Sequence, residues 1–133
     1  MLSGSASAEP AGPSREDTRK LRVGQTVWFD RLLGVTFVKV LSDSRCPINA
    51  RCIWAGDAEV LLRVQVGLQK AEFVTLHTYL DPKYAVVSAL PGGVIGIPKS
   101  YAVRLMNLTP QPFAGRPTRQ RDYCLTLGFS IAV

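Results

Sequence analysis

The sequence predicts an all-β fold: an antiparallel sandwich of about seven or eight strands, with a small closed β-barrel as the alternative. Three observations carry this expectation. Apolar residues recur with period two in several runs, no run shows a long helical stripe, and turn signals separate the runs at short intervals. At 133 residues the chain has the size of one domain. That length lets a fold bury roughly two-thirds of the surface its unfolded chain exposes.

Residues 1–20 are rich in Ser, Ala, Pro, Gly and charge and are expected to form a flexible tail. Within them, Ala6-Ser7-Ala8 before Glu9-Pro10 has the small-x-small form of a signal-peptidase site, so the tail reads as a remnant of a signal-peptide region. Residues 21–133 are then a single β domain. Its first strands are expected at 25–29 and 35–41. From 57 to 66, Ala58, Val60, Leu62, Val64 and Val66 alternate with Asp57, Glu59, Arg63 and Gln65, and Leu61 is the one misfit. Such alternation predicts a strand with one buried face. A short turn, Gly67-Leu68-Gln69-Lys70, leads into a strand at 71–78 to make a hairpin. Further strands are expected at 84–90, 94–97, 101–108 and 122–131. In the last of these Tyr123, Leu125, Leu127, Phe129 and Ile131 share one face, opposite Cys124, Thr126, Gly128 and Ser130. Asp81-Pro82, Pro91-Gly92-Gly93 and the stretch 110–117 punctuate these runs.

The formal charge is +6, with the basic residues scattered and densest at Arg116, Arg119 and Arg121. No basic stripe is interleaved with aromatics, so nucleic-acid binding is not expected. The longest apolar run, 85–98, is broken by Pro91, Gly92, Gly93 and Gly96. It also falls short of the roughly 20 residues a bilayer requires, so no membrane span is predicted.

The most distinctive stretch is the loop 43–56, which opens Asp43-Ser44-Arg45-Cys46-Pro47 and closes Cys52-Ile53-Trp54-Ala55-Gly56. Its two cysteines flank a proline turn. A disulfide closing so small a loop would contribute on the order of 2 kcal/mol and fix the loop's shape. The chain's three cysteines and one histidine would also number enough for a zinc site. However, zinc ligand pairs usually lie two to four residues apart, and neither a metal nor any other cofactor is assigned. Asp43 is placed to cap the turn. Asp43, Arg45, Arg51 and Trp54 form the candidate partner-binding loop, because Arg and Trp are enriched at binding hot spots. The competing structural expectation is that Trp54 plugs the core and Arg45 pairs with Asp43.

In this loop the chain resembles a family of small exported bacterial proteins marked by a DSRCP segment, a second cysteine and a WAG triplet, here Asp43 to Pro47, Cys52 and Trp54 to Gly56. The resemblance extends loosely from about Val23 to Phe129. It implies export to the periplasm or medium, a Cys46–Cys52 disulfide and an all-β fold. It carries no activity.

Other chemistry is sparse. Cys124 is expected to be a buried, inert thiol among small neighbours. His77 is expected on the outer face of its strand, exposed or hydrogen-bonded, with Val74 and Leu76 toward the core. Asp43 and Asp57 bracket the stapled loop and could share a ligand or cation. There is no phosphate loop and no serine nucleophile elbow. The leading expectation is a non-enzymatic binding or structural role in the cell envelope, toward an unknown protein or envelope component, by a monomer or weak dimer. The alternatives are an inhibitor presenting loop 43–56, and an envelope hydrolase using a pair of carboxylates.

Overall fold

The computed structural model describes residues 17–88 and 100–132. Eight strands run in chain order: β1 (Asp17–Arg22), β2 (Thr26–Phe29), β3 (Leu33–Asp43), β4 (Ala58–Val66), β5 (Glu72–His77), β6 (Tyr84–Ser88), β7 (Ser100–Thr109) and β8 (Cys124–Ala132). They form two four-stranded antiparallel sheets, ordered β1-β8-β7-β6 and β2-β3-β4-β5. The fold is therefore the sandwich and not the closed barrel. No helix among the described residues is long and apolar enough to cross a membrane.

Alternation builds the core. The even positions of β4 from Ala58 to Val66 are buried, and so are Leu33, Val35 and Phe37 of β3. The facing sheet contributes Tyr101, Val103 and Leu105 from β7 with Leu125, Leu127 and Phe129 from β8. Phe29 stacks on Phe129 at 5.3 Å between ring centres and meets Tyr101 edge-on at 6.0 Å, which ties β2 to the opposite sheet. Leu61, out of step with its neighbours' polarity, lies half-buried on the outer face opposite Lys39 and Thr75.

The strand boundaries depart from the sequence expectation most clearly at the first strand and at the start of β8. The tail does not extend to Lys20, because Asp17–Arg22 pairs with β8 over its whole length, from Asp17↔Phe129 to Arg22↔Cys124. This strand buries only Leu21. The ladder, and an ion pair in which the Arg19 guanidinium sits 2.6 Å from Asp17, hold a segment whose composition is too polar to suggest a strand. Asp122 and Tyr123 precede β8, with Asp122 ending a 3-10 turn from Gln120. The expected strand at 94–97, the end of the one at 84–90 and the tail before Asp17 lie outside the described residues.

One end of the sandwich gathers three connections: the stapled loop between β3 and β4, the turn between β5 and β6, and the segment between β7 and β8. Loops collected at one end of a rigid sandwich are where such folds commonly place a binding surface.

Candidate functional site

The first half of the stapled loop is an anchor. Arg45 forks onto Asp43, with Nε donating to Oδ1 and Nη2 to Oδ2, both at 2.8 Å. The same guanidinium donates to the carbonyls of Leu108 (2.6 Å) and Pro110 (2.9 Å), fastening the loop to the end of β7. Tyr123 adds a hydroxyl donated to Asp43 Oδ2 at 2.9 Å. The Arg45 and Asp43 side chains are only 9% and 11% exposed. Burial alone would raise the Asp43 pKa. The hydrogen bonds from Arg45 and Tyr123 and the Arg45 charge outweigh it, so the carboxyl titrates below its ordinary 3.8. In turn, burial and the neighbouring carboxylate push the Tyr123 phenol up to about 12, keeping it a donor.

The loop's mouth is pinched shut by bonds between Ser44 and the Asp57 backbone. Ser44 N donates to the Asp57 carbonyl at 2.7 Å, and Asp57 N donates to Ser44 Oγ at 3.1 Å. Gly56 makes this closure possible. Its φ is +71°, and a Cβ there would fall on the Ser44 carbonyl. Further out, the Cys46–Cys52 disulfide closes the tip. The tip leans on the β7–β8 segment, where Ile48 N donates to Pro112 O at 3.0 Å and Asn49 Oδ1 accepts from Ala114 N at 2.8 Å.

The second half of the loop points outward. Ile53 is 91% exposed and Trp54 80%. Together with Ala55 and Gly56 they form one wall of a groove of about 550 Å³, whose other wall is Tyr79 and Leu80 of the β5–β6 turn. Asp57 sets that second wall. Its Oδ1 accepts from Tyr79 N (2.8 Å) and Leu80 N (3.0 Å), and its Oδ2 lies 2.6 Å from His77 Nδ1. Burial opposes the Asp57 charge, but the His77 contact and the two N–H donors outweigh it and hold the carboxyl below 3.8. The carboxylate therefore accepts, and His77 Nδ1 donates. His77 Nε2 faces Glu59 at 3.9 Å.

The four candidate binding residues thus separate. Asp43 and Arg45 are spent on the loop's own scaffold, so Arg45 is not presented to a partner and the expected Asp43–Arg45 pair is present. Trp54 does not plug the core; that expectation is corrected by its exposure. Arg51 is exposed and has no ion pair among the described residues. Asp43 and Asp57 are saturated by separate partners and share no site. No three His, Cys, Asp or Glu side chains gather to hold a metal ion among the described residues. His77 lies on the outer face as a hydrogen-bonded residue, and among the described residues no hydroxyl or thiol is bonded to its ring. The Ser44 hydroxyl, at the groove, is bonded to the Asp57 backbone instead. Cys124 is half-buried and unpaired, where a buried thiol was expected; its face of β8 is the solvent side. Sequence reasoning missed Ile53, Tyr79 and Leu80. The available signal was Tyr79-Leu80, large apolar residues placed in a turn just before Asp81-Pro82.

Fold and site together define an all-β sandwich domain with a disulfide-stapled loop at one end, bearing an open apolar groove. The chain matches no protein-family model, no curated protein and no solved structure.

Proposed function

We propose that the protein is an exported, non-enzymatic bacterial binding module of the periplasm or cell surface, and that its contact surface is the groove between Trp54 and Tyr79. The observation that supports this most is the pairing of exposure with rigidity. Ile53, Trp54, Tyr79 and Leu80 present apolar surface to water, which is unfavourable in isolation. Yet both walls are held by bonds that serve no core: the disulfide and Gly56 closure on one side, the Asp57 carboxylate on the other. A preorganised surface loses less entropy when it is covered. The disulfide and the resemblance of the DSRCP–WAG loop to small exported proteins support the location.

Panning a displayed peptide library against the oxidised protein tests this reading. Enriched peptides are expected to carry apolar or aromatic anchors. Their binding should fall at least tenfold in Trp54→Ala and in Leu80→Ala, with unfolding midpoints unchanged. Peptides that bind Trp54→Ala as tightly as the parent would refute the groove as the contact surface.

The rigid exposed tip also favours a second reading, an inhibitor that inserts loop 43–56 into a partner enzyme. That reading differs in where the energy lies. It requires Arg51 and Ile53 at the tip to matter while Tyr79 and Leu80 do not.

A further inference from the structure

A second surface lies away from the loops, on the solvent face of the β2-β3-β4-β5 sheet. Register places Trp28 opposite Gly34 and Thr26 opposite Thr36. Thr36 pairs across β3–β4 with Arg63, and Arg63 pairs across β4–β5 with Phe73. Trp28 is 54% exposed and Phe73 62%. The Trp28 ring rests on the Gly34 backbone, and a Cβ at 34 would lie 2.8 Å from Cζ3. A glycine at this point lets the indole lie across the sheet. Phe73 lies three strand spacings, about 14 Å, across the sheet from Trp28 and two residues further along it. In the row of Phe73 stand polar groups: Arg63 and the Thr36 and Thr26 hydroxyls, the latter two bonded to each other at 2.6 Å. Lys39 follows one step along the same face, opposite Leu61.

Charge is unbalanced here. Arg63 and Lys39 are exposed and have no ion pair among the described residues. Of the carboxylates around it, Glu59 lies toward the far end of the face, 3.9 Å from His77, and Glu72 precedes Phe73 on the edge strand, opposite Val64.

We infer that this face binds an acidic polysaccharide, a chain of pyranose rings bearing carboxylates. The C–H face of a pyranose ring is drawn to the negative face of an aromatic ring, and Trp28 and Phe73 provide two such platforms. A guanidinium recognises a carboxylate through two parallel bonds, and Arg63 is placed between the platforms with Lys39 beside it. The hydroxyl pair matches the polymer's own hydroxyls. The site is separate from the groove at Trp54 and stands whether or not that groove binds a partner.

The test uses polygalacturonate as the acidic probe, with dextran as a neutral and single-stranded DNA as a non-sugar comparison. Affinity electrophoresis of the full chain should show retardation by polygalacturonate and none by dextran, weakening as salt rises. Trp28→Ala and Phe73→Ala should each lower the affinity at least fivefold, and Arg63→Ala at least tenfold, with unfolding midpoints unchanged. In Trp54→Phe, where Trp28 is the remaining tryptophan, saturation should change the indole fluorescence. Absence of retardation overturns the inference. So does retardation that survives Trp28→Ala, or equal binding of DNA, which would mark a merely cationic surface. Self-association that buries Trp28 in the absence of polymer would assign the face to a second copy and overturn it as well.

Discussion

Arg45→Ala is expected to be the most damaging single change in the stapled loop, and Arg51→Ala, six residues on, nearly silent. Truncating Arg45 removes the fork on Asp43 and two bonds to the carbonyls of Leu108 and Pro110. It leaves the Asp43 carboxylate, 11% exposed, with only the Tyr123 hydroxyl as a side-chain partner. Breaking a buried pair by removing one partner costs about 3–5 kcal/mol. The site lies at a wet end of the sandwich, so the lower figure, about 3 kcal/mol, applies. For a domain of this size that lowers Tm by about 10 °C, whereas Arg51→Ala should cost about half a kcal/mol or less. Urea unfolding followed by fluorescence reads both. The pH dependence adds a signature. The folded Asp43 pKa lies below its unfolded value of 3.8. The contribution of the pair is therefore complete above about pH 4 and is lost as pH falls through the folded value. The gap between parent and Arg45→Ala should be constant near neutrality and narrow below pH 3.8. An Arg45→Ala cost under about 1 kcal/mol, or an equal cost for Arg51→Ala, would refute the division of the loop into anchor and tip.

Replacing Cys46 and Cys52 together by Ser should cost on the order of 2 kcal/mol in unfolding free energy, and a loss far above that would mean the staple holds more than its own loop. Alkylation of denatured protein made under oxidising conditions should add one label without reduction, at Cys124, and three with it, as read by intact mass. At the alkaline end, the Tyr101 and Tyr123 phenols are both raised from 10 to about 12. The unfolded chain then releases these protons first, so stability should fall as pH rises between about 10 and 12. Tyr123→Phe should flatten part of that fall, and an unchanged slope would contradict the bond to Asp43. Asp30 and Arg31 both have positive φ, 56° and 63°, in the tight turn between β2 and β3. Such a turn favours glycine at its second central residue, so Arg31→Gly should raise stability by about 1 kcal/mol; a loss in thermal unfolding would count against the turn geometry.

The fold was legible wherever burial supplies the stability. Strands β4 and β8 each bury every second residue, and alternation exposes them in the sequence at once. β1 was not legible, because Asp17–Arg22 buries one apolar side chain and is held by a backbone ladder whose partner lies a hundred residues away. The same limit applies to the site. The spacing of Cys46 and Cys52 suggested the staple, and Asp43 beside Arg45 suggested the pair. Whether Trp54 turned inward or outward could not be decided from its neighbours, because the answer depends on where the β5–β6 turn runs. Tyr79 and Leu80 reach Trp54 through the hairpin of β4 and β5 and through Asp57, a route that local sequence does not display.

The split within the loop explains why so short a stretch needs so many special residues. Its first part, Asp43 to Cys46, must be fixed to the sandwich before its last part can hold apolar side chains in water without collapsing. Were Trp54 free to move, it would fold back onto Leu80 and close the groove, since that burial is favourable at about 25 cal/mol per Å². Three constraints oppose this collapse: the Arg45 fork pins the start, Gly56 and Ser44 fix the exit, and Asp57 holds the opposite wall by its backbone. Each acts on backbone or buried charge, and none acts on the groove side chains themselves. Groove residues should therefore tolerate substitution without loss of stability, while the scaffold residues should not. That asymmetry is what separates a surface kept open for a partner from an incompletely packed loop.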